Sequence, residues 1–256
     1  MEIICYACGR GENPENTLEA ITYCQEVNPD WRIEIDLQIT SDGEIVLFHD
    51  KNGLRTTGVD LEIAKATLAE VQELNAGHYF SANGDAKQFQ VPTLKMVLES
   101  FPNIKLLLDV HTDDLRAVDP ILALLAKHQP PAPVIASEYD HVIAAFKEKA
   151  PELTYGAATK EAKQLIYSSF LGLDGLFPLK GDILIIPRQF GKINVLTPRI
   201  VKHVAKRHKK IWAWMEESEV VKTAENLDEA LMLESLGADG IFTEFPARVK
   251  KEMDEK

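Results

Sequence analysis

The sequence predicts a (β/α)8 barrel, also called a TIM barrel, which is an α/β fold. Short runs rich in β-branched residues alternate with helix-length amphipathic stretches from one end of the chain to the other. The 256 residues also match the roughly 250 that eight successive strand–helix units occupy. Two regions interrupt the alternation, and their sequences indicate a hairpin and a small insertion rather than a different fold.

Nine stretches have the length and composition of strands, and eight stretches between them have the spacing of helices. The predicted strands are residues 2–6, 32–39, 44–48, 104–110, 133–137, 153–158, 182–187, 210–215 and 238–243. The predicted helices lie near residues 16–28, 60–74, 93–101, 113–128, 140–149, 160–171, 197–208 and 226–236.

The ninth strand is explained by a hairpin after the second barrel strand. Residues 32–39 and 44–49 are joined by Ser41-Asp42-Gly43, which is too short for a parallel crossover. An Asp-Gly pair between alternating apolar residues is a strong hairpin signal. A two-residue turn would place Asp36 opposite His49, within one residue of register. An acid and an imidazole are therefore expected together at the barrel mouth, where such barrels carry their active sites.

Residues 51–92 are too long for an ordinary loop between strand and helix. They contain a Gly-rich stretch, one predicted helix and Asn83-Gly84-Asp85. We expect a small insertion over the barrel mouth. Because no linker, repeat or low-complexity tract is visible, residues 1–256 are predicted to form one domain.

Composition excludes several classes of protein. With 45% apolar and 27% charged residues, the chain is neither disordered nor a membrane bundle, and no apolar run reaches the roughly 18 residues of a spanning helix. The net charge of −12 disfavours nucleic-acid binding, although a bound cation could still attract a small phosphate ester. Residues 1–9 do not resemble a secretory signal. The three cysteines, Cys5, Cys8 and Cys24, are typical of reduced buried thiols. Together with the N-terminal sequence and the composition, they predict a cytoplasmic protein without stable membrane insertion.

Acidic residues on two predicted strands are candidate metal ligands. Glu34 and Asp36 lie two positions apart on one strand and therefore share a face. The alternation leaves two options, because either this face or that of Ile33, Ile35 and Leu37 could point into the barrel. Carboxylates inside would repel one another without a cation.

Asp109 ends a strongly apolar strand, where a carboxylate is costly unless it is paired or metal-bound. A loop or helix-capping role is the alternative, because the next helix begins at Thr112-Asp113. With Glu34 and Asp36 it would supply three hard oxygen ligands, which suit Mg²⁺ or Ca²⁺ better than zinc.

The motifs resemble those of the glycerophosphodiester phosphodiesterase family. IICYACGRGENPENTLEA is similar to the family's opening IIAHRGARGxxPENTxxA, and EIDLQITSDGEIVLFHDKNGLRTT to ExDVxxTxDGxxVxxHDxxLxRTT. Further matches are LNAGHYF, VPTLKMVLE, the strand with Trp212 and Trp214, and GADGIFTEFP, so the resemblance spans nearly the whole chain in order. It implies a TIM barrel with a small insertion after the hairpin.

The implied activity is metal-dependent hydrolysis of a phosphodiester to glycerol phosphate and an alcohol, a phosphoric diester hydrolase reaction of lipid metabolism. By position, the family's metal carboxylates fall on Glu34, Asp36 and Asp109, with aspartate in place of the usual third glutamate. Its second catalytic histidine falls on His49, and its lysine two residues after the third acid is His111 here.

The first catalytic motif of the family is replaced. Its His-Arg-Gly positions hold Tyr6, Ala7 and Cys8, so the acid–base imidazole, the phosphate-contacting arginine and the turn glycine are all missing. Losing one general acid or base typically costs about 10²–10⁴-fold in rate. His111 could supply a second imidazole, or Arg10 could fold back onto the phosphate; a solvated histidine and an exposed arginine are the alternatives.

Two readings of the function follow. The first is a metal-dependent glycerophosphodiester phosphodiesterase with an altered acid–base pair, in which Tyr6, Arg10, His111 and Trp214 could contact substrate. Trp214 could equally be barrel packing. The second is a catalytically impaired relative that binds a phosphorylated metabolite without hydrolysing it.

Overall fold

The computed structural model describes residues 1–80, 88–217 and 221–256, and within them all eleven strands belong to one sheet. Asn83-Gly84-Asp85 of the predicted insertion lies outside the described residues. The strands are β1 (Glu2–Cys5), β2 (Arg32–Ile39), β3 (Ile45–Leu47), β4 (Lys105–Val110), β5 (Val134–Ala136), β6 (Thr154–Tyr155), β7 (Ile183–Phe190), β8 (Ile193–Asn194), β9 (Lys210–Glu217), β10 (Val221–Lys222) and β11 (Gly240–Thr243). All nine predicted strands are present, and the short β8 and β10 were not predicted.

The sheet closes into a barrel of eight parallel strands among the described residues. Their order is β1, β2, β4, β5, β6, β7, β9 and β11, and β11 pairs back to β1. A bridge between Gly156 and Ile183 joins β6 to β7, and the Ala157 N–H donates to the Ile183 carbonyl at 2.8 Å. The predicted (β/α)8 barrel is confirmed.

Helices cover the outside of the barrel and form the insertion. They are α1 (Leu18–Val27), α2 (Leu54–Thr57), α3 (Leu68–Gln72), α4 (Leu94–Ser100), α5 (Val118–His128), α6 (Asp140–Lys149), α7 (Thr159–Phe170), α8 (Pro198–Ala205), α9 (Leu227–Ser235) and α10 (Pro246–Asp254). The single helix predicted near 60–74 is wrong in extent. Thr67 forms a capping box with Glu70 and starts α3 there, after a separate 3₁₀ turn at Ile63–Lys65. None of the described helices is both long and apolar enough to cross a membrane.

The alternation along β2 decides which side chains enter the barrel. Ile33, Ile35 and Leu37 belong to the core between strands and helices. The opposite face points into the barrel and carries Arg32, Glu34, Asp36 and Gln38, all of which are buried. The carboxylates therefore face inward, which is one of the two options that the sequence left open.

The barrel interior is apolar in its lower part, away from the carboxyl ends of the strands. Its buried side chains are Ile4, Leu107, Val134, Ile183, Trp212 and Phe242. The guanidinium of Arg32 lies 5.1 Å from the Trp212 ring centroid and donates to the carbonyls of Leu106 and Ala132. Because this end of the interior is filled, a polar site that opens to solvent is expected at the barrel mouth.

We expect Gly240→Ala to destabilise the barrel. Gly240 pairs with Trp212 across β11 and β9, and a Cβ at position 240 would lie 2.3 Å from Cδ1 of that rigid buried indole. Overpacking of this kind costs about 1–3 kcal/mol in the free energy of unfolding. Urea unfolding measures it, and Gly175→Ala is the matched control, because a Cβ there meets nothing within 4 Å. Equal stability of the two variants would show that the interior can relax.

The hairpin is present, but its turn is one residue longer than predicted. Leu37 pairs with Leu47 and Ile39 with Ile45, and the Thr40 N–H donates to the Glu44 carbonyl. The loop thus has three residues and ends on Gly43 at φ 90°, a left-handed conformation that glycine adopts without strain. Asp36 consequently lies opposite Phe48 rather than His49. This difference of one residue is within the register range that was predicted.

The insertion packs beside the barrel mouth and has its own small core. Its apolar side chains cover the outer face of β3 and the residues that follow it: Val46, Phe48, Ile63, Ala66, Val71, Leu74 and Val91. This second core fixes the segment that carries His49.

Candidate active site

Three carboxylates converge inside the barrel mouth. Glu34 and Asp36 come from β2, and Asp109 comes from β4, where it lies directly opposite Asp36 in the parallel register. One oxygen from each lies within 4.8 Å of the other two. The side chains of Glu34 and Asp36 are almost completely buried, at 2% and 1% exposed, whereas Asp109 is partly open to solvent. Asp109 therefore joins this cluster and does not cap a helix.

Burial and neighbouring charges shift the pKa values of the clustered carboxylates. Burial raises the pKa of Glu34 well above its usual range, and the neighbouring Asp36 and Asp109 add to the rise. For Asp36 burial acts in the same direction, but contact with His111, the nearby His49 and the Asn16 amide outweigh it and lower its pKa. The site thus holds more negative charge than its imidazoles and amides neutralise.

His49 lies just beyond β3 and is oriented by the residue that follows it. Its Nδ1 is 2.7 Å from Oδ1 of Asp50. Asp50 in turn accepts from the Nε of Arg55 at 2.6 Å, and Arg55 also bonds Glu15. This chain fixes the ring and leaves Nε2 of His49 free for the site, as in other histidine–carboxylate pairs.

His111 lies at the centre of the site rather than in solvent. Its Nε2 is 2.9 Å from Oδ1 of Asp36 and 3.4 Å from Oδ2 of Asp109. Burial opposes protonation, but the carboxylates of Asp109 and Asp36 raise the pKa of His111 well above its usual value. The rings of His111 and His49 stack with centroids 4.3 Å apart. The alternative of a solvated loop histidine is excluded.

Two positioning residues were missed from the sequence, and Gln38 is the first. Its Nε2 donates to the backbone carbonyls of His49 at 3.1 Å and His111 at 3.2 Å, so one buried amide joins the two loops that carry the imidazoles. The available signal was its spacing, because Gln38 continues the inward face of Glu34 and Asp36.

Asn16 is the second missed residue. Its Nδ2 donates to Oδ2 of Asp36 at 2.6 Å, and its Oδ1 accepts the Asp36 backbone N–H at 3.0 Å. Asn16 has a φ of 56°, a left-handed conformation that asparagine tolerates better than most residues. The signal was the PENT motif, whose asparagine has this geometric task.

We expect Asn16→Ala to loosen Asp36 and lower turnover by about 10–100-fold, as is typical when a ligand loses its supporting hydrogen bond. The apparent affinity for divalent cation should weaken by a similar factor, measured by calorimetric titration. Asn28→Ala, in the loop after α1, is the matched control. A loss of turnover with unchanged cation affinity would contradict the positioning role.

The residues at the replaced motif form a strained turn after β1. Ala7 and Cys8 have φ values of 43° and 61°, which non-glycine residues rarely adopt. The Ala7 N–H donates to the carboxylate of Glu34, which also opposes the rise in its pKa. The turn therefore still contributes a backbone donor, although the family's side chains are gone.

Tyr6 packs at the mouth and cannot act as a base. Its ring meets Phe242 edge to face at 6.1 Å, and Trp214 contacts the same Phe242 at 5.8 Å. Burial raises the pKa of the Tyr6 phenol far above its usual value of 10, and the charge of Glu34 raises it further. Tyr6 stays protonated at neutral pH.

Arg10 does fold back toward the site, but it is already paired. Its guanidinium lies 4.6 Å from the Tyr6 ring centroid, and its Nε and Nη2 are 2.7 and 2.6 Å from Oε1 of Glu244. The side chain is mostly buried, so it is not an exposed loop arginine.

The donor set fits a hard divalent cation. Three carboxylate oxygens from rigid strands meet in one small space. The pKa of Glu34 is raised first by burial and then by the charges of Asp36 and Asp109, and a cation would offset both effects. Oxygen ligands of this kind suit Mg²⁺ or Ca²⁺. A second group of possible ligands, namely Asp36, His49 and His111, shares Asp36 with the first.

An acid and imidazole cluster at the carboxyl ends of parallel barrel strands defines a barrel enzyme. The sequence profile of the glycerophosphoryl diester phosphodiesterase family matches residues 9–248 of this chain. The chain belongs to this family. The match begins directly after the replaced residues Tyr6, Ala7 and Cys8.

Individual relatives agree with this assignment. A glycerophosphodiester phosphodiesterase of Caldanaerobacter subterraneus is 26% identical over 240 residues, covering 91% of this chain and 89% of the relative. A human lysophospholipase D is 22% identical over 96% of this chain and 84% of its own. The structure of an Oleispira antarctica phosphodiesterase in complex with sn-glycerol-3-phosphate superposes with a TM-score of 0.74 at 23% identity, covering 99% and 97% of the two chains. These relatives are phosphoric diester hydrolases, and the structural match supports the TIM-barrel fold.

Proposed function

We propose that this protein hydrolyses glycerophosphodiesters to glycerol phosphate and an alcohol with the help of one divalent cation, Mg²⁺ or Ca²⁺. The observation that carries the proposal is the convergence of Glu34, Asp36 and Asp109 beside two stacked imidazoles. These three carboxylates would hold the cation, which as a Lewis acid would neutralise the charge of the phosphate.

The residues of the chain divide the proton transfers between them. His49, with Nδ1 fixed on Asp50, is the base that takes a proton from the attacking water, whose oxygen bonds to phosphorus as the bond to the leaving oxygen breaks. His111 lies next to it, with Nε2 between Asp36 and Asp109, and is the acid that donates a proton to the leaving oxygen. His111 thereby takes over the second imidazole role that Tyr6 cannot fill.

The phosphate end of the substrate is bound at the mouth. The Arg10 guanidinium would attract it while Glu244 and the Tyr6 ring hold that guanidinium in place. Trp214 packs against Phe242 and would form an apolar wall beside the substrate. The small-molecule diester is therefore the proposed partner, and we place the protein in the cytoplasm, as its composition predicts.

The test is an assay of purified protein with glycerophosphocholine and glycerophosphoethanolamine, each with Mg²⁺, Ca²⁺ or a chelator. We expect glycerol phosphate to appear with a cation and not with chelator. Product formation that is insensitive to chelator would overturn the proposal.

A second function is favoured by one observation, the replacement of the first motif by a protonated Tyr6 and by Ala7, which has no charge for a phosphate. A non-catalytic relative would bind glycerol phosphate or its diesters without turnover. Cation-dependent calorimetric binding of glycerol phosphate, combined with no product from either diester, would establish this alternative.

A further inference from the structure

A group of large apolar side chains is exposed along the end of α7 and the loop that follows it. Tyr167 is 65% exposed, Leu171 76% and Leu176 72%, and Phe170 and Leu173 are also exposed. Single exposed apolar residues are ordinary, but five within ten consecutive residues form a patch of the kind that marks an interaction surface. We call residues 167–176 the α7 apolar segment.

The α7 apolar segment is held in place from behind. Arg199, in the first turn of α8, donates from Nε to Asp174 and from Nη2 to the Gly172 carbonyl, the latter at 2.8 Å. The buried His203 lies 3.1 Å from the second carboxylate oxygen of Asp174. The Asp174 carboxylate and the Gly172 carbonyl are thus bonded within the fold, while the apolar side chains of the segment are exposed.

This surface continues to the barrel mouth. Arg199, which donates to the Gly172 carbonyl, lies in the first turn of α8, and α8 begins soon after Asn194 ends the β7–β8 hairpin. The segment therefore lies beside the start of α8. Glu217 pairs with Phe190 at the end of β7. Phe190 and Ile193 of the β7–β8 hairpin are each 54% exposed. Since β7 and β9 run parallel to β2 and β4 around the barrel, their ends are on the side that carries Asp36.

The same part of the chain is strongly basic. Residues 159–210 contain eleven Lys and Arg but three Asp and Glu, whereas the whole chain has 28 and 40. The three acids are engaged within the fold: Asp174 with Arg199, Asp182 with Lys209, and Glu161 with the Lys180 backbone N–H. The stretch of chain that carries the apolar segment and the β7–β8 hairpin therefore has a net positive charge in a protein that is otherwise negative.

We propose that the α7 apolar segment and the β7–β8 hairpin dock on an anionic lipid surface, with the barrel mouth turned toward it. Aromatic and aliphatic side chains flanked by lysines are the combination that binds such an interface, because the apolar groups enter the acyl boundary and the cations meet lipid phosphates. A second copy of the chain fits less well. A symmetric dimer would bring the same basic surface against itself.

The experiment measures binding alone, so its outcome is separate from that of the proposed hydrolysis. The full-length protein is sedimented with vesicles of phosphatidylcholine, with or without about 30% phosphatidylserine. We expect binding to the anionic vesicles that weakens as salt is raised. The triple variant Phe170→Ser, Leu171→Ser, Leu176→Ser should weaken it by about tenfold or more.

Two matched controls test the surface specifically. Leu115→Ser, Leu231→Ser, Leu236→Ser removes exposed leucines elsewhere and should bind like the unaltered protein. Lys163→Glu with Lys192→Glu should weaken binding more than Lys95→Glu with Lys127→Glu. Circular dichroism of each variant separates loss of folding from loss of docking.

Three outcomes would overturn the proposal. The unaltered protein could remain in the supernatant with both kinds of vesicle, or the triple serine variant could bind as well as the control. Light scattering could also show a dimer that the triple variant dissociates, with no vesicle binding. That last result would identify the surface as an interface between copies of this chain.

Discussion

Replacing Asp36 by alanine is expected to lower metal-dependent turnover by about 10³-fold or more. Asp36 contacts His111, is opposite Asp109 and belongs to both groups of possible metal ligands. Without the Asp36 carboxylate, the site would lose one ligand of the cation and the group that positions His111. Glu34→Ala should have a similar effect, because Glu34 is buried in the same cluster and accepts the Ala7 N–H.

The measurements are steady-state hydrolysis of glycerophosphocholine and calorimetric titration with Mg²⁺ and Ca²⁺. Asp30→Ala, which removes an exposed carboxylate just before β2, is the control and should change neither. Urea unfolding of all three variants separates misfolding from loss of the cation. Turnover that survives Asp36→Ala, or that continues with chelator, would refute the carboxylate site.

Restoring the family's motif with Tyr6→His and Ala7→Arg is expected to raise turnover by about 10²–10⁴-fold. Tyr6 packs at the mouth against Arg10 and Phe242, directly before the residue whose N–H donates to Glu34, so an imidazole at position 6 would lie beside the carboxylate cluster. An arginine at position 7 would add a second cation for the phosphate. The backbone at position 7 is left-handed, which arginine can adopt at a modest cost.

Two further variants test why turnover is expected to rise in the restored protein. Tyr6→Phe should leave turnover unchanged, because a phenol that stays protonated supplies no base. In the restored protein, His111→Gln should cost far less than it does in the unaltered protein, since the new imidazole would share its task. A restored variant that folds and binds cation but shows no gain would contradict the idea that position 6 limits the rate.

The sequence predicted the barrel well because its signal is local. Strand and helix periodicities repeat along the chain, and the hairpin followed from the short link at Ser41-Asp42-Gly43. Errors arose where a single residue changes a local outcome: Gly43 lengthened the turn, and the capping box at Thr67 divided a helix. Such effects shift registers and boundaries without changing the fold.

Some residues of the candidate site could likewise be predicted from the sequence, and others could not. Its acids and His49 could be named from motifs, since each lies in a recognisable run of residues. The tasks of Asn16 and Gln38 could not, because their hydrogen bonds join segments that are 11 to 73 residues apart. For His111, residue patterns alone could not decide between a solvated loop and the carboxylate cluster.

The amino-acid sequence by itself thus determined the architecture and the kinds of chemical group available, because periodicity and residue type are properties of short segments. Only the folded barrel decided that Glu34 and Asp36 face inward, that His111 stacks on His49, and that α7 leaves its apolar end uncovered. The physical reason is that closing the sheet fixes which face is interior, and burial then sets the charge and the contacts of each group.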